Sequence, residues 1–400
     1  MVQSIESKES WTVATVALVI LTVSTIVALK AIAAEMGGLR SIPSLASSLS
    51  WVGVGAGGIV MGAVAEKVGV RWTVMFGSLM ILAGLALSTF GGAWQLYIGQ
   101  GLLVGVLGIG SMNAPFYVYV SRWFDRHRGS ALALISSGAY MAGAIWPPIF
   151  ERAIFHIGWR QTMLIYAVVQ VALILPLAAV FLRNPPEPPL PSNPYGAARG
   201  PARVLGWPAN LVFFLLALAA VFCCMPMAMP QAHLPALCSD LGIPASHGAA
   251  MLSVLLGAAF VSRQMWGWIS DRFGGLNTVL TGSGFQIVTM IAFIFTQDEV
   301  SLFTVAAASG LGFAGIVPAY ILALRELFPA GDAYWRIPAL LLCSGSGMAA
   351  GAWLAGKLYD HFGFYAPAFG AGVAANAANF LIIAVLVLRQ QKGFLRYAIS

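Results

Sequence analysis

The chain has 400 residues, 59% of them hydrophobic and 9% charged, with a formal net charge of +7 and a mean hydropathy of +0.85. Apolar residues on that scale far exceed what a water-soluble core of this size can hide, which excludes a soluble globule and leaves an integral membrane protein. The positive excess follows from membrane topology and gives no reason to expect a nucleic acid partner.

Apolar runs of about 20 residues, the length a helix needs to cross about 30 Å of hydrocarbon, recur along almost the whole sequence. Twelve membrane helices are predicted, at 11–35, 44–65, 72–92, 95–121, 129–150, 159–182, 209–237, 247–269, 276–296, 300–323, 337–358 and 364–388. The runs are long and continuously apolar, unlike the short alternating strands of a membrane barrel. The first is long enough to span and lacks a small-residue cleavage site, so no cleaved signal peptide is expected. With the N-terminus placed inside, 15 of the 21 Lys and Arg residues fall on the inner side and four on the outer side. That bias puts both termini in the cytoplasm. The two remaining bases, Lys30 in the first run and Arg263 in the eighth, lie inside helices.

Along the chain, Asn113 and Tyr117 lie one turn apart in the fourth run, and Tyr140 and "WPP" (146–148) lie in the fifth. The stretch "RNPPEPPLPSNPYGAARGPARVLGWP" (183–208) cannot continue a helix and predicts a cytoplasmic linker between halves 1–182 and 209–400. The seventh run carries Gln231 and His233 among Pro226, Pro230 and Pro235, which predict a broken or bent helix; Tyr320 lies in the tenth. An ionised side chain at the bilayer centre costs roughly 2.5 to 3.5 kcal/mol on insertion scales and usually faces a cavity or a partner. Arg263 lies about 9 Å of helix rise before the inner turn, too deep for an ordinary surface charge. Its structural alternative is a tie from its helix to a backbone carbonyl. Lys30 can instead snorkel outward or pair with Glu35. Alone, Asn113, Tyr117, Tyr140, His233 and Tyr320 are as readily explained by bonds to neighbouring helices. Cys223, Cys224, Cys238 and Cys343 have no ligand spacing, so no metal site, disulfide or cofactor is expected. Nor is there a phosphate loop or nucleophile elbow, and an enzyme is not expected.

The two halves match at one fixed offset of 205 residues. Gly62, Glu66, Lys67 and Gly69 in "GAVAEKVG" answer to Gly267, Asp271, Arg272 and Gly274 in "GWISDRFG". Arg152, His156 and Gly158 answer to Lys357, His361 and Gly363. Parallel six-helix repeats are a transporter architecture.

"GAVAEKVGVR", including Arg71, resembles the loop signature of the major facilitator superfamily, and its second copy resembles it too. The resemblance implies an all-α membrane fold of twelve helices in two six-helix pseudo-repeats. It also implies that these nine residues serve as a conformational latch and do not touch substrate. A narrower likeness lies in "NAPFYVYVSRWFDRHRGSALALISSG" (113–138), which resembles monocarboxylate transporters and their oxalate:formate-type bacterial relatives through Pro115, Trp123, Phe124, Arg126, Arg128, Ala131 and Gly138. "LAGKLYDHFGFY" (354–365) resembles the ending of that family's eleventh helix. In that family an arginine four residues before a glycine in the eighth helix binds the substrate carboxylate, and Arg263 and Gly267 match the spacing. A lysine important for transport lies in the first helix, as Lys30 does. Two departures stand out. The acid one turn before the arginine, used in proton coupling, is Ala259 here, and the eleventh helix has Trp353 and no core base, which disfavours a dianion.

The reading is a monomeric secondary transporter of a small carboxylate in a bacterial cytoplasmic membrane, by symport or antiport, with proton coupling left open. Arg263, Lys30, Asn113, Tyr117, Tyr140, His233 and Tyr320 are the candidate substrate residues. Efflux of a drug-like solute is the alternative within transport, and a membrane sensor or assembly factor the alternative outside it.

Overall fold

A computed structural model of the chain describes residues 6–24, 41–183, 185, 203–329 and 332–399. Helices α1 (Lys8–Ser24), α2 (Ser41–Val68) and α3 (Val70–Thr89) are followed by a span that changes character along its length. It starts as α4 (Ala93–Tyr97), continues as a π-helix (Ile98–Gly108) and a 3₁₀ turn (Ile109–Ser111), and ends as α5 (Asn113–Ser121). Then come α6 (Arg128–Ser136) and the long α7 (Gly138–Phe181). A two-stranded antiparallel hairpin, β1 (Arg203–Val204) and β2 (Trp207–Pro208), closes the predicted linker. After it follow α8 (Ala209–Asp240), α9 (Ala245–Phe273), α10 (Gly275–Phe295), α11 (Glu299–Phe313), α12 (Ile316–Leu327), α13 (Ala333–Phe362) and α14 (Ala366–Ile399). Among the described residues, 10 helical stretches are long and apolar enough to cross a membrane. The first predicted run corresponds to α1 and the fifth to α6 with the start of α7.

The contacts sort the chain into two compact units. One comprises 1–125, 134–185 and 337–345; the other 126–133, 186–336 and 346–400. Within the first, α3 packs on α7; within the second, α10 packs on α14. A buried polar tie joins each pair. Gln170 Nε2 donates to the Ser78 carbonyl at 2.9 Å, and Asn376 Nδ2 donates to the Ser283 carbonyl at 3.0 Å. Ser78 and Ser283 are 205 residues apart. The same offset relates Gly69 (φ 96°) to Gly274 (φ 79°) and Gly158 (φ 77°) to Gly363 (φ 81°). At Gly69 and Gly274 the chain reverses between two spans with almost no loop, in a conformation that L side chains rarely adopt.

Several expectations change here. The fourth and tenth runs, read as single helices, are both interrupted near their middles, at 109–112 and 314–315. Conversely α8 is one continuous helix through its three prolines. Pro226 and Pro230, one turn apart, are both buried, and Gly372 of α14 closes on Pro226, where a Cβ would lie 3.3 Å from the proline Cβ. α7 is helical through Pro147 and Pro148 and kinks at Gly158, its one non-helical residue.

Candidate functional site

The two copies of the duplicated turn are built differently. In the first, at the end of α2, Glu66 pairs with Arg122 Nη2 at 2.5 Å, both side chains about a third exposed (30% and 27%). Gly62 is buried in the same helix, while Lys67 and Arg71 are exposed and Arg71 lies over the Trp72 ring at 5.6 Å. In the second, Asp271 is half-buried and its carboxylate accepts from Gly129 N–H at 2.5 Å, Ser130 N–H at 3.0 Å and Ser130 O–H at 2.5 Å. These donors are the first turn of α6, so the charge sits on a helix N-terminus. Gly267 makes the approach possible: a Cβ there would lie 2.7 Å from the Ala133 Cβ. Arg272 lies over Trp268 at 3.9 Å, and Glu326 accepts from Gly275 N–H at 3.0 Å, capping α10 beside Gly274.

Arg263 lies two turns before Asp271 on α9 and is 7% exposed. Its Nε–H donates to the Ala314 carbonyl at 2.7 Å, in the interruption between α11 and α12. The structural alternative raised for this residue is therefore realised: its helix is tied to a backbone carbonyl. The bond also fixes the plane in which the two Nη groups lie. That is the geometry a bidentate carboxylate requires.

The other predicted residues are distributed over both units. Asn113 and Tyr117 share the first turns of α5, half-buried and buried, and Tyr140 is half-buried on α7; all three belong to the first unit. Tyr320, 1% exposed, donates to Asn379 Oδ1 at 2.5 Å. Asn379 in turn donates to Ser283 Oγ at 2.7 Å and Asn376 Oδ1 at 2.9 Å, so the Tyr320 hydroxyl is committed to a satisfied network inside the second unit. His233 bridges three helices. Its Nε2 lies 2.9 Å from the Ala352 carbonyl of α13 and its Nδ1 3.1 Å from the Tyr365 hydroxyl before α14. A carbonyl only accepts, so Nε2 carries the proton and, in the neutral ring, Nδ1 accepts from Tyr365. The Tyr365 hydroxyl is pushed up to about 12, chiefly by burial and then by the charge of Asp240, so it remains a donor at ordinary pH. Lys30 lies outside the described residues.

One buried charge was not singled out in the sequence. Arg336, one of the 15 bases assigned to the inner side, is 4% exposed. It bonds Asp332 at 3.1 Å and Asn210 at 3.2 Å, and the rings of Phe213, Phe328 and Trp335 stand within 5.1 Å of its guanidinium carbon. Asp332 four residues before it, with Trp335 adjacent, was the available signal. The Asn376 and Asn379 amides were also overlooked, although two asparagines in an otherwise apolar run mark a buried bond.

The sequence profile of the Major Facilitator Superfamily matches residues 11–333. The chain belongs to that superfamily. This member is similar to Monocarboxylate transporter 13 of Rattus norvegicus, 26% identical over 339 residues that cover 81% of this chain and 76% of that one. It is also similar to the agnestins efflux protein AgnL12 of Paecilomyces divaricatus, 27% identical over 243 residues that cover 58% and 53% of the two chains. Three fungal relatives are spanned over only 54%, 63% and 53% of their length. Among solved structures, the E. coli fucose:proton symporter superposes with a TM-score of 0.70 at 14% identity, over 95% of this chain and 99% of that one. The chain is thus a multi-pass membrane protein of that superfamily, with two six-helix pseudo-repeats.

Proposed function

We propose that this transporter moves a small organic anion, best fitted by a monocarboxylate, with Arg263 as the anchor for the carboxylate. The observation that carries the reading is Arg263 itself: a guanidinium deep in a membrane helix, 7% exposed, with its plane set by a 2.7 Å bond to a carbonyl in a broken span. The likeness to a monocarboxylate transporter supports it. We place both termini in the cytoplasm, take the halves as 1–182 and 209–400, and read the transporter as a monomer of a bacterial cytoplasmic membrane working by rocker-switch alternating access. Lys30, Asn113, Tyr117, Tyr140 and His233 are retained as further substrate residues. Tyr320 is better explained as structural. With Ala259 in place of an acid, a proton would be carried by Lys30, a histidine or the substrate's own carboxyl group, in symport or antiport.

The test is initial-rate uptake of labelled short monocarboxylates into proteoliposomes, with and without a pH gradient. Saturable carboxylate flux is expected, lost in Arg263→Gln and retained at raised KM in Arg263→Lys, which keeps the charge but not the fork. Absence of saturable flux for every carboxylate refutes the substrate class; undiminished flux in Arg263→Gln refutes the anchor alone. The second reading, export of a drug-like solute, is supported by the likeness to a fungal efflux protein. It requires protection of cells against a lipophilic compound with no carboxylate flux.

A further inference from the structure

A helix that stops leaves its last carbonyls without N–H partners. In the tenth span α11 stops at Phe313 and α12 starts at Ile316, and side chains of α9 reach three carbonyls at that gap. Ser262 Oγ shares its proton between Gly310 at 3.1 Å and Ala259 of its own helix at 3.3 Å, Trp266 Nε1 donates to Leu311 at 2.7 Å, and Arg263 Nε donates to Ala314 at 2.7 Å. The approach is close enough to demand glycine: a Cβ on Gly315 would lie 2.0 Å from the Cβ of Trp266.

The first half supplies an internal control. Its fourth span is interrupted at the equivalent place, 109–112, and the same backbone approach recurs: a Cβ on Gly105 would lie 2.8 Å from the Ser50 carbonyl, as one on Gly310 would lie 2.1 Å from the Leu255 carbonyl, each pair 205 residues apart. Yet the residues equivalent to Ser262, Arg263 and Trp266 are Gly57, Gly58 and Met61, which carry no donor. A broken span in this fold forms without these three ties. The three donors of the second half therefore serve something that half alone does.

We infer that Trp266 and Ser262 are positioning residues for anion transport: by pinning Leu311 and Gly310 they hold the Ala314 carbonyl in place, and the carbonyl holds the Arg263 guanidinium in one plane for a carboxylate. This rests on the reading of Arg263 as the anion anchor. A planar, two-oxygen anion gains from a fixed fork, whereas a tetrahedral anion of equal charge gains less. Loosening the plane thus costs affinity and selectivity before it costs turnover.

The experiment uses the full-length transporter in proteoliposomes, the best-transported short monocarboxylate from the uptake panel, and its sulfonate analogue as competitor. Trp266→Phe keeps the ring and deletes the N–H. It is expected to raise KM roughly three- to tenfold, the worth of one net hydrogen bond, at a Vmax within about twofold. It is also expected to erode the preference for carboxylate over sulfonate. Ser262→Ala should shift the same two quantities in the same direction, and Ser262→Thr, which keeps the hydroxyl, should restore them. Trp353→Phe, an exposed tryptophan of α13 (65%), is the control for ring replacement. Unchanged KM and unchanged carboxylate preference in both Trp266→Phe and Ser262→Ala overturn the inference. If Trp266→Phe does not fold, Ser262→Ala and its threonine rescue decide it. Full flux in Arg263→Gln instead removes the anchor on which the inference stands, and is read separately.

Discussion

Asp271→Asn and Glu66→Gln are equivalent changes by the repeat, yet the structure expects unequal effects. Asp271 accepts three hydrogen bonds from the first turn of α6, at 2.5, 3.0 and 2.5 Å. An asparagine keeps one acceptor oxygen and turns its NH₂ toward the remaining donors. The change costs about 1.5–3 kcal/mol for a bond to a charged group, and about 0.3–1 kcal/mol more for charge lost from a helix N-terminus. At 1.4 kcal/mol per tenfold, this is on the order of a hundredfold in any equilibrium that makes and breaks the contact. Glu66 holds one pair with Arg122, both side chains about a third exposed (30% and 27%), and such pairs are worth about 0–1 kcal/mol. The expected result is a fall in Vmax of tenfold or more for Asp271→Asn and less than about fivefold for Glu66→Gln, with KM changed little in either. Initial rates at matched reconstitution density, with thermal unfolding in detergent as a folding control, make the measurement. Equal effects of the two variants, or wild-type rates for Asp271→Asn, would refute the claim that the second copy is the stronger latch.

Three further outcomes follow from packing and bonding. Tyr320→Phe leaves the Asn379 oxygen without its buried donor; it should lower the unfolding temperature at a cost of roughly 1–3 kcal/mol while KM stays within twofold, and a large rise in KM would return Tyr320 to the substrate site. Gly310→Ala would press a methyl to 2.1 Å from the Leu255 carbonyl and should give little folded protein, whereas Gly257→Ala, which meets nothing within 4 Å, should behave as wild type in a size-exclusion assay. The folded Tyr365 hydroxyl is raised from 10.0 to about 12, so the unfolded chain loses this proton first: stability should fall between about pH 10 and pH 12, and that part of the fall should be absent from Tyr365→Phe in thermal scans across the range.

Spans and repeat were legible because both are written in local chemistry: continuous apolar runs, and glycines at Gly69 and Gly274 whose positive φ the turn requires. The interruptions at 109–112 and 314–315 were not legible. Glycine in an apolar run is compatible with a continuous helix, and what breaks these spans is tertiary, the approach of Gly105 to Ser50 and of Gly310 to Leu255. At the prolines of α8 a broken or bent helix was expected, and the span is not broken. The span stays helical through Pro226, Pro230 and Pro235, and at Pro226 the neighbouring α14 packs closely through Gly372. The depth of Arg263 was readable from its distance to the inner turn. The identity of its partner, a carbonyl 51 residues away, was not.

The pseudo-symmetry sorts candidates further than burial does. Residues repeated at the 205 offset, such as Ser78 and Ser283, whose carbonyls each accept from a buried side-chain amide, solve the same packing problem twice and belong to the scaffold. A residue serving an asymmetric ligand has no reason to be repeated. Both Tyr320, whose counterpart is Pro115, and Arg263, whose counterpart is Gly58, pass that test. Bonding separates them: the Tyr320 hydroxyl gives its single proton to Asn379, within a network whose members are satisfied by one another. Arg263 is held through Nε by a carbonyl in the interruption of the tenth span, a bond that sets the plane of its guanidinium. Asymmetry identifies what the second half does alone, and the atom that makes the bond shows whether the group is consumed by the fold or aimed by it.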